Sequence, residues 1–272
     1  MTYRLGIIGC GNMGEALLKG IIDSDAVGLE EIIIYDKDSD RRSYLKSQYS
    51  INLSDNLKDT LDSENILLAI KPQNLHEFIE QVKEIKLEGK NIISILAGIP
   101  TGYFEKKLGR LSVIRIMPNT PALVKQGMLV ISRGEYASQR DLDFARMITS
   151  NLGEAVVVEE KFQNLATALS GSGPAYYFLF CKCLIDAAEK KGMDRQVAKK
   201  LVVETMAGSA ALIKESGREL DQLIDMVTSP GGTTEKALEQ FRAWNIEEMV
   251  RSAIESAIGR AHELERLQDS EE

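Results

Sequence analysis

Residues Leu5 to Ala16 read Leu-Gly-Ile-Ile-Gly-Cys-Gly-Asn-Met-Gly-Glu-Ala, a short apolar run that breaks into G-x-G-x-x-G and continues in a helical pattern. This order constrains a fold tightly. It brings a helix N-terminus, with its free N–H groups and partial positive charge, to the end of a buried strand, where it can meet phosphates. Gly9 permits the tight turn, Gly11 lets the backbone approach a pyrophosphate, and Gly14 lets the helix pack closely on the strand, with Asn12 and Met13 between them. A second apolar run, Ile32-Ile33-Ile34-Tyr35, ends in Asp36 about twenty residues on, the place of a ribose-binding acid in a dinucleotide site. The alternative is an ordinary glycine-rich turn between strand and helix.

Further strand-like runs support the first reading. After Tyr3 to Ile8 and Glu31 to Tyr35, strands are expected at Asn65 to Ala69, Asn91 to Ile95, Ser112 to Met117, Met128 to Ser132 and Ala155 to Val158, several separated by helical patterns. Such alternation predicts an α/β Rossmann-like domain over residues 1–160, a mostly parallel sheet covered on both faces with ligands at the carboxyl ends of its strands. Those ends carry the Gly9 loop, Asp36, Lys71-Pro72 after Ala69, Ala97-Gly98, and Pro118-Asn119-Thr120-Pro121.

Beyond about residue 160 the strand signal stops, and residues 161–272 read as an all-α domain. Tyr176 to Phe180 is a continuous apolar run, Asp194 caps a helix carrying Val197, Leu201, Val202 and Met206, and Met249, Val250, Ala253, Ile254, Ala257 and Ile258 share one stripe. Helices so striped expose large apolar patches when isolated. A homodimer or higher homo-oligomer is therefore expected; the alternative is that they fold back on the first domain.

Composition narrows the partners. With 33 Lys and Arg against 41 Asp and Glu, the net charge of −8 disfavours nucleic acid and anionic membranes. No apolar run approaches the roughly twenty residues that span a bilayer, and the sequence enters a strand without a basic leader, so a cytoplasmic location is expected. Three cysteines, Cys10, Cys181 and Cys183, do not suggest a disulfide framework, and with only His76 and His262 besides, no metal site is expected. Cys10, near a helix N-terminus, reads either as a reactive thiolate or as a small residue filling a turn. Cys181 and Cys183 read as core, and both histidines as surface residues.

Within the helical half, Thr228-Ser229-Pro230-Gly231-Gly232-Thr233-Thr234-Glu235 interrupts two helices. The glycines leave backbone N–H groups open at a helix N-terminus, and Ser229, Thr233 and Thr234 add hydroxyls, a combination that can accept a carboxylate. The same residues read equally well as a helix stop followed by a capped start. Ser170-Gly171-Ser172-Gly173-Pro174-Ala175-Tyr176 places small residues ahead of an apolar helix, for close packing or for contact with a cofactor's reactive end.

These two segments, with Met117-Pro-Asn-Thr-Pro121, Ala69-Ile-Lys-Pro72 and the Gly9 loop, closely resemble pyrroline-5-carboxylate reductase, the last enzyme of proline biosynthesis. The resemblance covers nearly the whole chain. It implies an oxidoreductase with a Rossmann domain, a helical domain that interlocks between two subunits, and a substrate held between the nicotinamide and the Ser229–Thr234 loop. Hydride passes from NAD(P)H to the C=N carbon of 1-pyrroline-5-carboxylate. Thr234 corresponds to the threonine whose hydroxyl bonds the ring nitrogen, and Ser229 with the amides of Gly231, Gly232 and Thr233 to the carboxylate site. The expected cofactor set is Gly9, Gly11, Asn12, Met13, Gly14, Asp36, Asn56, Ala69, Lys71, Pro72, Ala97 and Asn119, Lys71 reading equally as a structural ion-pair residue.

Asp36 departs from many members of that family, which carry small or hydroxyl residues there. A carboxylate accepts hydrogen bonds from the ribose 2′-hydroxyl and repels a 2′-phosphate, which points to NADH. Lys37, Arg41 and Arg42 leave NADPH open. Two other readings fit the same residues: a related imine or 3-hydroxyacid reductase, and a nucleotide-sensing protein without catalysis.

Overall fold

A computed structural model describes residues 3–269. Among them, eight strands form one sheet in the order β3-β2-β1-β4-β5-β6-β7-β8. The strands are β1 (Leu5–Ile8), β2 (Ile32–Tyr35), β3 (Asn52–Ser54), β4 (Asn65–Leu68), β5 (Asn91–Ser94), β6 (Ser112–Met117), β7 (Gly127–Arg133) and β8 (Gly153–Val157). All pairings are parallel except β6 with β7.

Register places Leu5 opposite Ile32 and Asn65, and Ile7 opposite Ile34 and Leu67, so apolar rows cross the centre of the sheet. Because successive side chains face opposite ways, these runs feed two cores. Leu5, Ile7, Ile34 and Leu67 enter one; Ile8, Ile66, Leu68 and Ile92 enter the other. Full burial of each such side chain is worth about 1.5–3 kcal/mol. Helices α1 (Asn12–Asp23), α2 (Ser39–Gln48), α3 (Leu57–Leu61), α4 (Leu75–Val82), α5 (Thr101–Leu108) and α6 (Gln139–Thr149) connect the strands. Strand order reverses between β1 and β4, which opens a crevice at their carboxyl ends.

The α/β and all-α halves are thus as expected, with differences in detail. Strand β3 was not anticipated, since Asn52-Leu53-Ser54 holds only one apolar residue. Two compact units divide after Ser172: one holds residues 3–172 with 257–269, the other Gly173–Ser256. Gln163 starts the short α7 (Gln163–Ala166). Its fully buried amide donates to Val130 O and Ser132 Oγ of β7, which ties this segment to the sheet.

The second unit is helical: α8 (Gly173–Lys190), α9 (Arg195–Ser216), α10 (Leu220–Met226), α11 (Thr233–Ala243) and the beginning of α12 (Ile246–Asp269). Asp194 caps α9 by accepting from Gln196 N and Val197 N. Two residues apart on α8, Cys181 is buried and Cys183 exposed, so the core expectation holds for the first and is corrected for the second by helix geometry.

Candidate active site

At the sheet's crevice the chain encloses a cleft of about 460 Å³, with Gly9, Gly11, Asp36, Arg41, Ala69 and Lys71 among its walls. Main-chain bonds hold its rim: Gly9 N–H donates to Tyr35 O (2.8 Å), and Ala69 N–H to Ile8 O (2.8 Å). Gly9 turns at φ +80°, and a β-carbon on Gly14 would come within 2.9 Å of Gly9 O. Both positions therefore require glycine. A β-carbon on Gly11 meets nothing within 4 Å, and no side chain caps the start of α1 there. Open space before uncapped N–H groups is what a dinucleotide's phosphates need, so the residues fit that group.

Of the other expected cofactor residues, Asn12, Met13 and Gly14 form the first turn of α1. Asn56, Pro72, Ala97 and Asn119 do not line the cleft. Asn56 caps α3, accepting from Lys58 N (3.1 Å), and Pro72 opens a 3-10 turn. Lys71 is exposed, and its ammonium has no partner among the described residues, so the ion-pair alternative is not realised. Asn119 is buried and engaged at both ends of its amide. It donates to Ser170 O (3.2 Å) and accepts from Met128 N (2.9 Å). The Ser170 segment follows as a π-helical turn, Thr167–Gly171. A β-carbon on Gly171 would lie 2.7 Å from Met117 Cε, so Gly171 serves close packing, whereas a β-carbon on Gly173 would meet nothing within 4 Å.

Asp36 closes the rim. Its Oδ2 accepts from Cys10 N (2.7 Å) and its Oδ1 from Asp38 N (3.0 Å), which fixes the end of β2 to the glycine loop and leaves lone pairs for a ligand hydroxyl. Burial pushes the Cys10 thiol up to about 12, against the opposing Arg41 charge, which favours the turn-filling reading over a reactive thiolate.

One cluster escaped the sequence. Arg41 reaches from α2 to Glu15 on α1, pairing with its Oε2 through Nη2 and donating from Nε to Cys10 O (2.5 Å). Tyr49 and Tyr44 add hydroxyl donors to Glu15 Oε1 at 2.9 and 3.2 Å. Burial works against the Glu15 charge, but these donors outweigh it and hold the carboxyl below its usual range. An acid in a helix's first turns and a basic residue 26 positions later were the signals; their pairing is tertiary.

In the helical unit the Ser229 loop ends α10 and opens α11. Gly231 sits at φ +72°, Gly232 N–H donates to Ser229 O (2.9 Å), and Gly232 is the N-cap with no side-chain cap. Instead, Glu235 reaches back to accept from Gly231 N–H (2.8 Å). A carboxylate thus sits on the loop amide just ahead of the N-cap. The hydroxyls of Ser229, Thr233 and half-buried Thr234 have no partner among the described residues.

Comparison with known proteins now bears on both places. Residues 160–264 match the family model for pyrroline-5-carboxylate reductase dimerisation, and residues 4–98 that for NADP oxidoreductase, coenzyme F420-dependent. A pyrroline-5-carboxylate reductase of Synechocystis is 37% identical over 268 residues, covering 97% of this chain and 99% of the relative. The chain belongs to the pyrroline-5-carboxylate reductase family. Solved structures agree. The Coxiella burnetii pyrroline-5-carboxylate reductase superposes with a TM-score of 0.88 at 31% identity, covering 97% and 99% of the two chains. The Plasmodium falciparum pyrroline carboxylate reductase, solved with NADP bound, gives 0.86 at 29% identity over 97% and 98%. Like its family, the chain is an NAD(P)H-dependent oxidoreductase, and it carries the family's dimerisation domain. Among the described residues no helix is long and apolar enough to cross a membrane, and no group of three or more His, Cys, Asp or Glu could hold a metal ion.

Proposed function

We propose that this pyrroline-5-carboxylate reductase family member reduces 1-pyrroline-5-carboxylate to L-proline as a cytoplasmic homodimer or higher homo-oligomer, with NADH preferred to NADPH. Residues 1–160 serve the dinucleotide, and residues 161–272 serve dimerisation and substrate. The observation that carries the substrate reading is the Glu235 carboxylate on Gly231 N–H, because a loop amide one residue ahead of the α11 N-cap already holds a carboxylate. The substrate's carboxylate takes that place, held by Ser229 and the amides of Gly231, Gly232 and Thr233, once Glu235 swings aside.

The dinucleotide is held by the amides of the Gly9–Gly14 turn and by Asp36, with Ala69 and Lys71 on the wall; Asn56, Pro72, Ala97 and Asn119 are assigned to the same cofactor set. Reduced nicotinamide supplies hydride when bound. Thr234 is assigned to the ring nitrogen, where its hydroxyl bonds the nitrogen as positive charge is lost. The imine can take its proton from solvent, so neither His76 nor His262 is needed as an acid, and positioning carries much of the catalysis. Asp36 supports NADH, because a second anion at the ribose 2′ position meets its charge.

Oxidation of NADH and of NADPH, each assayed alone with 1-pyrroline-5-carboxylate, tests both parts. Consumption of both, with the higher kcat/KM for NADH, is expected. Absence of substrate-dependent oxidation with either overturns the activity, and a higher kcat/KM for NADPH overturns the preference.

A further inference from the structure

Three cationic side chains near the end of β2 have the chemistry to bind a ribose 2′-phosphate, and the structure shows each of them already engaged. Lys37 Nζ donates to Asn74 Oδ1 (3.2 Å) and lies 3.8 Å from Glu77 Oε2. Arg42 Nη1 donates to Asp36 O (2.6 Å). Arg41, which lines the cleft, spends Nε on Cys10 O and Nη2 on Glu15. Of the three partnerships, only the last involves a carboxylate held in place by two further donors, Tyr44 and Tyr49.

We propose that Glu15 is a specificity-determining residue: by engaging the Arg41 guanidinium it withholds from the 2′-phosphate of NADPH the one arginine that lines the cleft among the described residues. The proposal rests on the reading that this cleft binds the dinucleotide with Asp36 at the ribose. Physically, a guanidinium already paired with a carboxylate brings no net charge to an incoming phosphate, and its donors must be freed before they can be used. Asp36 and Glu15 then act in different ways, the first by direct repulsion and the second by occupying the counter-charge. The pair stays ionised through the neutral range, because the hydrogen bonds and charges outweigh burial on both sides, raising Arg41 and lowering Glu15.

Glu15→Gln tests this by fluorescence titration of NADH and NADPH, and by competition with adenosine 2′,5′-bisphosphate, which carries the 2′-phosphate but no nicotinamide. The ratio of NADPH to NADH affinity should rise about tenfold, the scale of one charge-assisted hydrogen bond, and the bisphosphate should compete better. Glu15→Ala, well tolerated in a helix, repeats the measurement if glutamine disturbs the packing. In an Arg41→Ala background the gain should vanish; a gain that persists there assigns the effect to the loss of charge alone and overturns the role of Arg41. Asp36→Ser separates the proposal from the reading beneath it. If Asp36→Ser moves the ratio and Glu15→Gln does not, the Glu15 inference falls and the cleft assignment stands. If neither moves it, both fall.

Discussion

The sheet unit and the helical unit bury their apolar side chains on different terms. In the first, Ile7, Ile34, Leu67 and Ile114 are wholly inaccessible, because parallel strands covered on both faces have nowhere else to put them. In the second, the buried apolar side chains among the described residues are Cys181, Ile185 and Ala198. Tyr177, Phe178 and Leu179 on α8 are each more than 60% exposed in the single chain, and Trp244 is 84% exposed. One region completes its own core. The other presents a surface that must be covered, and the match to a dimerisation family over residues 160–264 says by what kind of partner.

The sharpest way to break this contrast is to charge the exposed face. Phe178→Asp with Leu179→Asp should convert the oligomer to monomer at micromolar concentration and abolish turnover, while NADH still binds to the sheet unit. Sedimentation velocity and nucleotide titration check the two halves of that statement. A double variant that sediments as wild type places the covering surface elsewhere on the helices.

A smaller effect is expected within the helical unit's loop. Thr234→Ala should lower kcat by roughly ten- to a thousandfold, as removal of one positioned hydrogen bond does. Cofactor affinity and sedimentation should stay unchanged, and substrate binding should weaken less than turnover because Ser229 and the loop amides still grip the carboxylate. If Thr234 only starts α11, alanine lowers the melting temperature and leaves kcat alone. Kinetics and thermal melting on one protein decide between them.

How far each region could be read in advance follows from the same contrast. Strands with apolar runs, such as Ile32-Ile33-Ile34 or Val113-Ile114, announce themselves because burial on both faces leaves no polar positions. Asn52-Leu53-Ser54 is too short and polar to do so, and joins the sheet only because β2 offers it an edge. Gly9 and Gly14 were legible because backbone geometry dictates their identity, and Asp36 because it follows the second apolar run. The Glu15–Arg41 pair was not, since nothing local joins residues 26 apart. Arg115 was likewise hidden inside a predicted strand. It is almost wholly buried, paired with Glu160 (2.9 Å) at the start of the segment that docks against β7. In the helical region the Ser229 loop showed its open amides, while the return of Glu235 to Gly231 depended on a side-chain choice that spacing does not fix.

The smallest effect probes how self-contained the sheet unit is. Glu15 is about 20% exposed and its carboxyl titrates below the ordinary 4.5, so the sign of its contribution is set. The ionised form is favoured by folding. Its stabilisation is fully present above about pH 4.5 and disappears as pH falls through the lower folded value, where both states are protonated. Glu15→Gln should therefore lower stability by about 1 kcal/mol at pH 7, the worth of a charge-assisted hydrogen bond after solvent screening, and the gap to wild type should close as pH drops below 4.5. Amide hydrogen exchange of β1 and β2 in rising denaturant reads this opening locally. Because these strands lie in the unit that completes its own core, the gap should not change with protein concentration, whereas any transition that depends on subunit contact must. A gap that persists at pH 3 assigns the loss to packing around Tyr44 and Tyr49; one that grows on dilution joins Glu15 to the association energy and erases the distinction between the two regions.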